Sequence, residues 1–420
     1  MKHYLLITSL LLSSYTMASA ETMSHESASE PEDSGMKGVL GNYSMMREAS
    51  GTSWQPESTP HDGLFWELGD WSMMTHGFID VIYDHQGGLR GEDKSFTASM
   101  LMLQGSKELS KGTVNLKGMF SLDPLMGKSG YPLLFQTGET ADGQTHLTDR
   151  QHPHNLVMEL AGSYSYPVSD KNSVFVYGGI VGEPALGPTA FMHRLSGMDN
   201  PEAPISHHWL DSTHITNGVV TLGYTTPYWK VEASSFHGRE PDQYRYRIEL
   251  GDLDSYSARL TVNPNEDISA QVSAGHIHSP ETLSPNINVD RITTSITFNK
   301  MVYGGLSQTT FAFGRNTPSE GISTNAYLLE SSWAWTGRNT AFLRAEKVDK
   351  NELFDETSPL ANNNFNVKKL SLGMVHDFPS ERNYTLGLGA VGSVYDFSSR
   401  LDNYYGSNPK SLMVFLRLKI

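Results

Sequence analysis

The chain has 420 residues, no Cys, and 31 Lys+Arg against 46 Asp+Glu for a formal net charge of −15. The missing Cys excludes a disulfide framework, a thiolate metal site and a Cys nucleophile, and an acidic chain without basic runs is a poor nucleic-acid binder. Charged residues make up only 18%, too few for a disordered solvating chain, and past the amino terminus no run of 18 apolar residues offers a transmembrane helix.

Lys2 and His3 precede the apolar run from Tyr4 to Leu12, and Ala18-Ser19-Ala20 follows. A positive start, a short apolar core and small residues two apart predict a cleaved secretory signal peptide over 1–20. Residues 21–70 form a second region. Glu21, Glu26, Glu30, Glu32 and Asp33 occur before the first basic residue, Lys37. Ser, Gly and Pro are frequent and no period is visible, which predicts a flexible or plug-like leader. It carries Met23, His25, Met36, Met45, Met46 and His61.

From Trp71 the hydrophobicity alternates with period two. Val114, Leu116, Gly118 and Phe120 alternate with Asn115, Lys117, Met119 and Ser121. Tyr256, Ala258, Leu260 and Val262 alternate with Ser255, Ser257, Arg259 and Thr261. Ala341, Leu343 and Ala345 alternate with Phe342, Arg344 and Glu346. A mid-strand Arg needs water or a partner on its face. The predicted strands are 71–83, 96–106, 112–121, 156–166, 173–180, 215–224, 229–236, 255–262, 268–276, 291–299, 303–313, 326–335, 340–347, 368–377, 384–394 and 411–420. No helix is predicted from Trp71 onward. Links after even-numbered strands are short, as in Thr225-Thr226-Pro227-Tyr228, and those after odd-numbered strands are long. Sixteen strands with links sorted by parity predict an all-β transmembrane antiparallel up-and-down β-barrel over 71–420, with short periplasmic turns and long extracellular loops. Lipid offers the backbone no hydrogen-bond partner, so only a closed sheet can span it. Tyr164, Tyr166, Tyr224, Tyr228, Trp229, Trp333 and Trp335 sit near strand ends, where interfacial aromatic girdles belong. The last strand alternates Leu412, Val414, Leu416, Leu418 and Ile420 with Arg417 and Lys419, and ends on Ile rather than an aromatic residue.

Two long links concentrate unusual chemistry. Loop 122–155 contains Asp149-Arg150-Gln151-His152-Pro153-His154, and loop 181–214 contains His193 and the run His207 to His214. Seven of the 16 His lie between 146 and 214. A metal site would use His152, His154, His193, His207, His208, Asp211 and His214. Imidazole suits Cu, Zn, Ni or Fe, and thioether adds a preference for Cu(I). Of 18 Met, only Met301, Met374 and Met413 lie beyond residue 200. The competing reading makes both loops inward-folded pore constrictions, with Asp149, Arg150, Glu183, Arg194, Arg259, Arg344 and Glu346 lining the pore. Ser196, Ser206 and Ser212 allow a Ser–His–Asp drawing, but no G-x-S-x-G elbow or H-E-x-x-H motif is present, so no enzyme and no catalytic residue is expected.

The stretches Arg47-Glu48-Ala49-Ser50-Gly51-Thr52-Ser53-Trp54-Gln55-Pro56, Gly138-Glu139-Thr140-Ala141-Asp142-Gly143, Asp149 to His154 and His207 to His214 resemble a family of uncharacterised Gram-negative outer-membrane β-barrels. The resemblance runs over most of the mature chain and implies outer-membrane location and fold, and no ligand residues. The leader's Met/His content is similar to outer-membrane copper-resistance proteins of the B type, without their dense Met/His repeats.

These readings converge on a porin-like channel of the bacterial outer membrane. It would pass small solutes through a lumen constricted by 122–155 and 181–214. The alternatives are a metal-handling barrel with copper as cofactor or cargo, and a plugged structural or surface-interaction barrel. The expected partners are outer-membrane lipid and small solutes or metal ions, with a homo-oligomer left open and nucleic acid excluded.

Overall fold

A computed structural model describes residues 37–420 apart from 356, 362, 381 and 382. The expected signal peptide, and Met23, His25 and Met36 of the leader, lie outside the described residues. The strands are β1 (Leu64–Leu68), β2 (Trp71–Gln86), β3 (Asp93–Leu109), β4 (Gly112–Phe120), β5 (Tyr131–Thr140), β6 (His146–Gln151), β7 (Val157–Pro167), β8 (Ser173–Val181), β9 (Val219–Thr225) and β10 (Trp229–Phe236). They continue with β11 (Ser255–Asn265), β12 (Ile268–Ile277), β13 (Val289–Val302), β14 (Gly305–Pro318), β15 (Thr324–Trp335), β16 (Asn339–Lys350), β17 (Phe365–Asp377), β18 (Thr385–Asp396) and β19 (Lys410–Lys419).

Sixteen of these, β2–β4 and β7–β19, pair antiparallel with their neighbours, and β19 pairs back onto β2 from Ser411↔Gln86 to Lys419↔Phe78. The sheet is therefore a closed sixteen-stranded barrel. Where β19 ends, β1 takes over the free edge of β2 as a hairpin, Leu64↔Thr75 to Leu68↔Trp71. It covers a row of backbone groups that would otherwise be unpaired.

The outer face carries the exposed large apolar side chains, among them Val81, Leu103, Leu116, Leu222, Leu260, Ile292, Phe311, Leu372 and Leu416. A belt of this extent, present on every barrel strand but β16, is far larger than a soluble monomer exposes and is what a lipid-facing wall requires. Tyr166, Tyr228 and Trp229 are exposed near the short-turn end, and Tyr83, Tyr256 and Tyr327 near the long-loop end. The tight turns follow local chemistry. Between β13 and β14, Tyr303 and Gly304 both adopt positive φ, +48° and +77°, the conformation that matches a two-residue hairpin to strand twist.

The structure corrects the sequence reading in three places. The strand expected from 215 begins at Val219, because His207–Leu210 forms a helical turn (α1) and Ser212–His214 a 3-10 turn. Those turns also correct the expectation of no helix. The link from β4 to β7 is more than a loop: it contains the hairpin β5–β6 as a separate two-stranded sheet.

Candidate functional site in the barrel lumen

The inner wall is largely polar along β10–β16, yet its side chains are buried, whereas along β17–β19 and β2–β4 it carries a buried apolar cluster that includes Val367, Met413, Phe415, Ile82, Met100 and Met119. Lys230 and Glu330 are 0% exposed, Arg344 1% and Arg259 2%. Three pieces of chain cover them: residues 37–61, the β4–β7 link and the β8–β9 link.

Residues 37–61 are fixed to β10–β14 mainly by polar contacts. Thr52 accepts from Lys230 at its carbonyl and from Arg259 at its hydroxyl, the latter at 3.0 Å. Asn263 donates to the Gln55 carbonyl at 2.7 Å, and Asn299 and Gln308 each donate to Thr59 at 3.0 Å. Trp54 packs in a small apolar cluster with Tyr43, Phe175, Tyr177 and Phe236. A cavity of about 20 Å³ remains between this segment and the wall, bordered by Trp54, Thr189, Arg194, Arg259 and Gln271, room for roughly one water.

The β5–β6 hairpin folds inward. Asp149, at φ +59°, accepts from the Phe135 amide at 2.7 Å, from Tyr405 at 3.1 Å and from Arg90 at 3.2 Å. Burial pushes its carboxyl up to about 6, against the pull of those donors. Arg150 instead reaches the rim, contacting Glu92 and the Ser129 carbonyl. Gly138, at φ +113°, sits so close to His208 that a Cβ there would overlap the imidazole.

The β8–β9 link is tied to the opposite wall by buried ions. Arg194 bridges Asp211 at 2.7 Å and Glu330 of β15 at 3.0 Å. Glu330 also accepts from Arg344 of β16 at 2.7 Å. Glu346 accepts from the Ser206 amide at 2.9 Å, Glu202 meets Lys369 at 2.9 Å, and Asp199 meets Arg417 at 2.7 Å. Burial opposes ionisation of Asp211, but the Arg194 guanidinium overrides it and holds that carboxyl well below the usual range. Glu183, buried beneath Gly51, is pushed by burial up to about 7. The expected pore-lining set therefore divides. Arg259, Arg344 and Glu346 are on the inner wall, Asp149, Glu183 and Arg194 are on the covering segments, and Arg150 is at the rim.

Five of the six expected histidines form one chain of ring contacts. His152 is 5.9 Å from His208, which is 5.5 Å from His207. His207 is 5.2 Å from His214, which is 5.5 Å from His154. His193 lies apart, 6.0 Å from His76 of β2. Most of the rings have a hydrogen-bond partner: His154 Nδ1 to Asp123 at 2.8 Å, His207 Nδ1 to Asp211 at 2.8 Å, His214 Nδ1 to the Asp211 carbonyl at 2.8 Å, and His152 Nδ1 to the Pro153 carbonyl at 3.3 Å. Among the described residues, no three His, Asp or Glu side chains gather as a ready metal site. Sequence reasoning missed His76 and His61 as lumen residues. His76 was legible, because it shares the inward face of β2 with Met74, Phe78 and Asp80.

No protein-family model matches the chain, and no curated protein matches its sequence. Solved structures do match in fold. OprB of Pseudomonas putida is similar at TM-score 0.52 and 9% identity, covering 83% of this chain and 94% of that one. Salmonella typhi OmpF, solved with daunomycin, is similar at TM-score 0.52 and 8% identity, covering 85% of this chain and 100% of that one. The chain thus has the fold of an outer-membrane porin-like barrel.

Proposed function

We propose that this chain resides in the outer membrane of a Gram-negative cell and passes small polar solutes through a lumen narrowed by its own amino-terminal segment and two inward-folded links. Sixteen strands enclose enough space for an aqueous passage. The observation that carries the reading is the polar seam between residues 37–61 and β10–β14. Ser, Thr, Asn, Gln, Lys and Arg side chains hold it together, and water can replace such contacts at far lower cost than interlocked apolar side chains.

Planar-bilayer recordings test it. The full chain is expected to give small conductance steps, and a variant lacking residues 37–61 several-fold larger ones. A folded deletion variant that stays silent would instead leave a sealed structural barrel.

A further inference from the structure

The barrel wall is not equally tall all round. β8, β9 and β10 have nine, seven and eight residues, against sixteen in β2 and fourteen in β13. Above the low strands the wall is completed by pieces of link. Leu122 and Asp123 close the edge of β3: the Leu122 amide donates to the Ser99 hydroxyl and the Ser99 amide to Asp123, both at 2.8 Å. The Leu156 amide donates to the Arg245 carbonyl at 2.8 Å, which ties the 237–254 link to the top of β7. A Cβ at Gly218 would meet Leu253 at 3.4 Å and Leu250 at 3.8 Å. Gly218 is two residues before the outward-facing Val220, so this link lies along the outside of the rim.

That outer surface is apolar. Leu122, Leu125, Tyr246, Leu250 and Leu253 are all exposed. Between the two pieces is a cleft of about 140 Å³, walled by Pro124, Pro153, Tyr244 and Tyr246 and rimmed by Lys128, Arg245 and Arg247. Lys128 Nζ is 4.0 Å from the centre of the Tyr244 ring, and the Arg247 guanidinium carbon is 4.5 Å from it. Two like charges on one ring repel, and neither has an ion-pair partner among the described residues. The acids of the link are turned to its own backbone. Asp242 accepts from the Tyr244 amide at 2.6 Å, and Glu249, in electrostatic reach of Arg247, accepts from the Asp242 amide at 3.3 Å. Arg245 is 4% exposed, and its Nε–H is buried without an acceptor, a rare condition in a finished structure.

We propose that this cleft seats a phosphorylated acyl glycolipid of the outer leaflet, its phosphate against Lys128 and Arg247 and an acyl chain along Leu250 and Leu253. Long loops mark the outer side of such a barrel, and basic pockets beside apolar wall are where anionic headgroups bind. The cleft opens outside the wall, away from any solute in the lumen. A second copy related by a two-fold axis would set the same cations against each other. The proposal rests on the outer-membrane placement above but not on solute passage.

Native mass spectrometry of the full-length protein in detergent micelles, with diphosphoryl lipid A added, tests it. One lipid A per chain is expected. Affinity should fall about thirtyfold in Lys128→Gln/Arg247→Gln and largely recover in Lys128→Arg/Arg247→Lys. Lys128→Gln alone, with a loss of about fivefold, replaces the pair should that not fold, as judged by heat-modifiable gel mobility. Phosphatidylethanolamine should bind far more weakly, and excess inorganic phosphate should displace little lipid A. Wild type that binds no lipid A overturns the proposal. So does a folded Gln variant that binds as wild type does, phosphatidylethanolamine bound equally well, or displacement by free phosphate. Self-association that Leu250→Asp abolishes while lipid A binding stays would assign the surface to a second copy instead. Bilayer conductance should be unchanged in the Gln variant, so a silent wild type counts against the solute route alone.

Discussion

His152 shows how burial sets chemistry in this lumen. Its ring is held down to about 3 by burial first, then by His207 and His154 nearby. A free imidazole titrates near about 6.5. Below that pH the unfolded chain takes a proton that the native site refuses. The site's contribution to stability is therefore whole above about 6.5 and is lost progressively as pH falls toward 3. Thermal unfolding of wild type and His152→Gln from pH 7 to pH 4 checks this. The wild type should lose ground to the variant as pH falls, and a constant offset would refute it. The sequence marked His152, His154, His207, His208 and His214 as a group because they crowd two links. It also grouped His193 with them, which the structure seats beside His76 instead. Loop crowding is visible in a sequence, but the depth at which a loop residue enters a barrel is not.

At the scale of elements, the β8–β9 link behaves as a part of the wall. Arg194 is its main tie, with Asp211 on one side and Glu330 on the other, all three nearly inaccessible. Arg194→Met would leave Asp211 buried without its cation, which costs about 3–5 kcal/mol for a broken buried pair. Denaturant unfolding followed by Trp fluorescence should show it, and a change under about 1 kcal/mol would place the link on the surface-pair scale. All sixteen barrel strands were legible because successive residues face lipid and lumen in turn, and over most strands the lumen side is the more polar. The β5–β6 hairpin was not legible. Tyr131 to Thr137 are buried on both faces, which removes the contrast. Phe135, Glu139 and Asp149 at positive φ also break the strand pattern.

For the whole molecule, periodicity told which face of each strand turns inward but not what covers it. The low apolar share fits a wall with one face in lipid, and the polar inner face suggested open water. The structure fills much of that space with the chain itself. Proteolysis distinguishes the two states. Trypsin added to vesicle-embedded protein should spare Arg47 and Arg194, which lie on the covering segments at 7% and 3% exposure. Cleavage there at the rate of exposed loop sites would mean that the filling segments leave the lumen readily.

The position of the seam carries a consequence for biogenesis. The barrel closes between β2 and β19, so the residues of β19, which follow every other barrel strand in the chain, complete the wall. Residues 37–61 and both inward links precede them in the chain. The contents can therefore be in place before the ring is shut, and the wall can wrap around them as around a mandrel. Residues 62–70 lead the amino-terminal segment away at the short-turn mouth, with β1 anchored beside the seam. Withdrawal of that segment through one mouth then requires no strand to unzip, so unplugging and disassembly can proceed at unrelated rates.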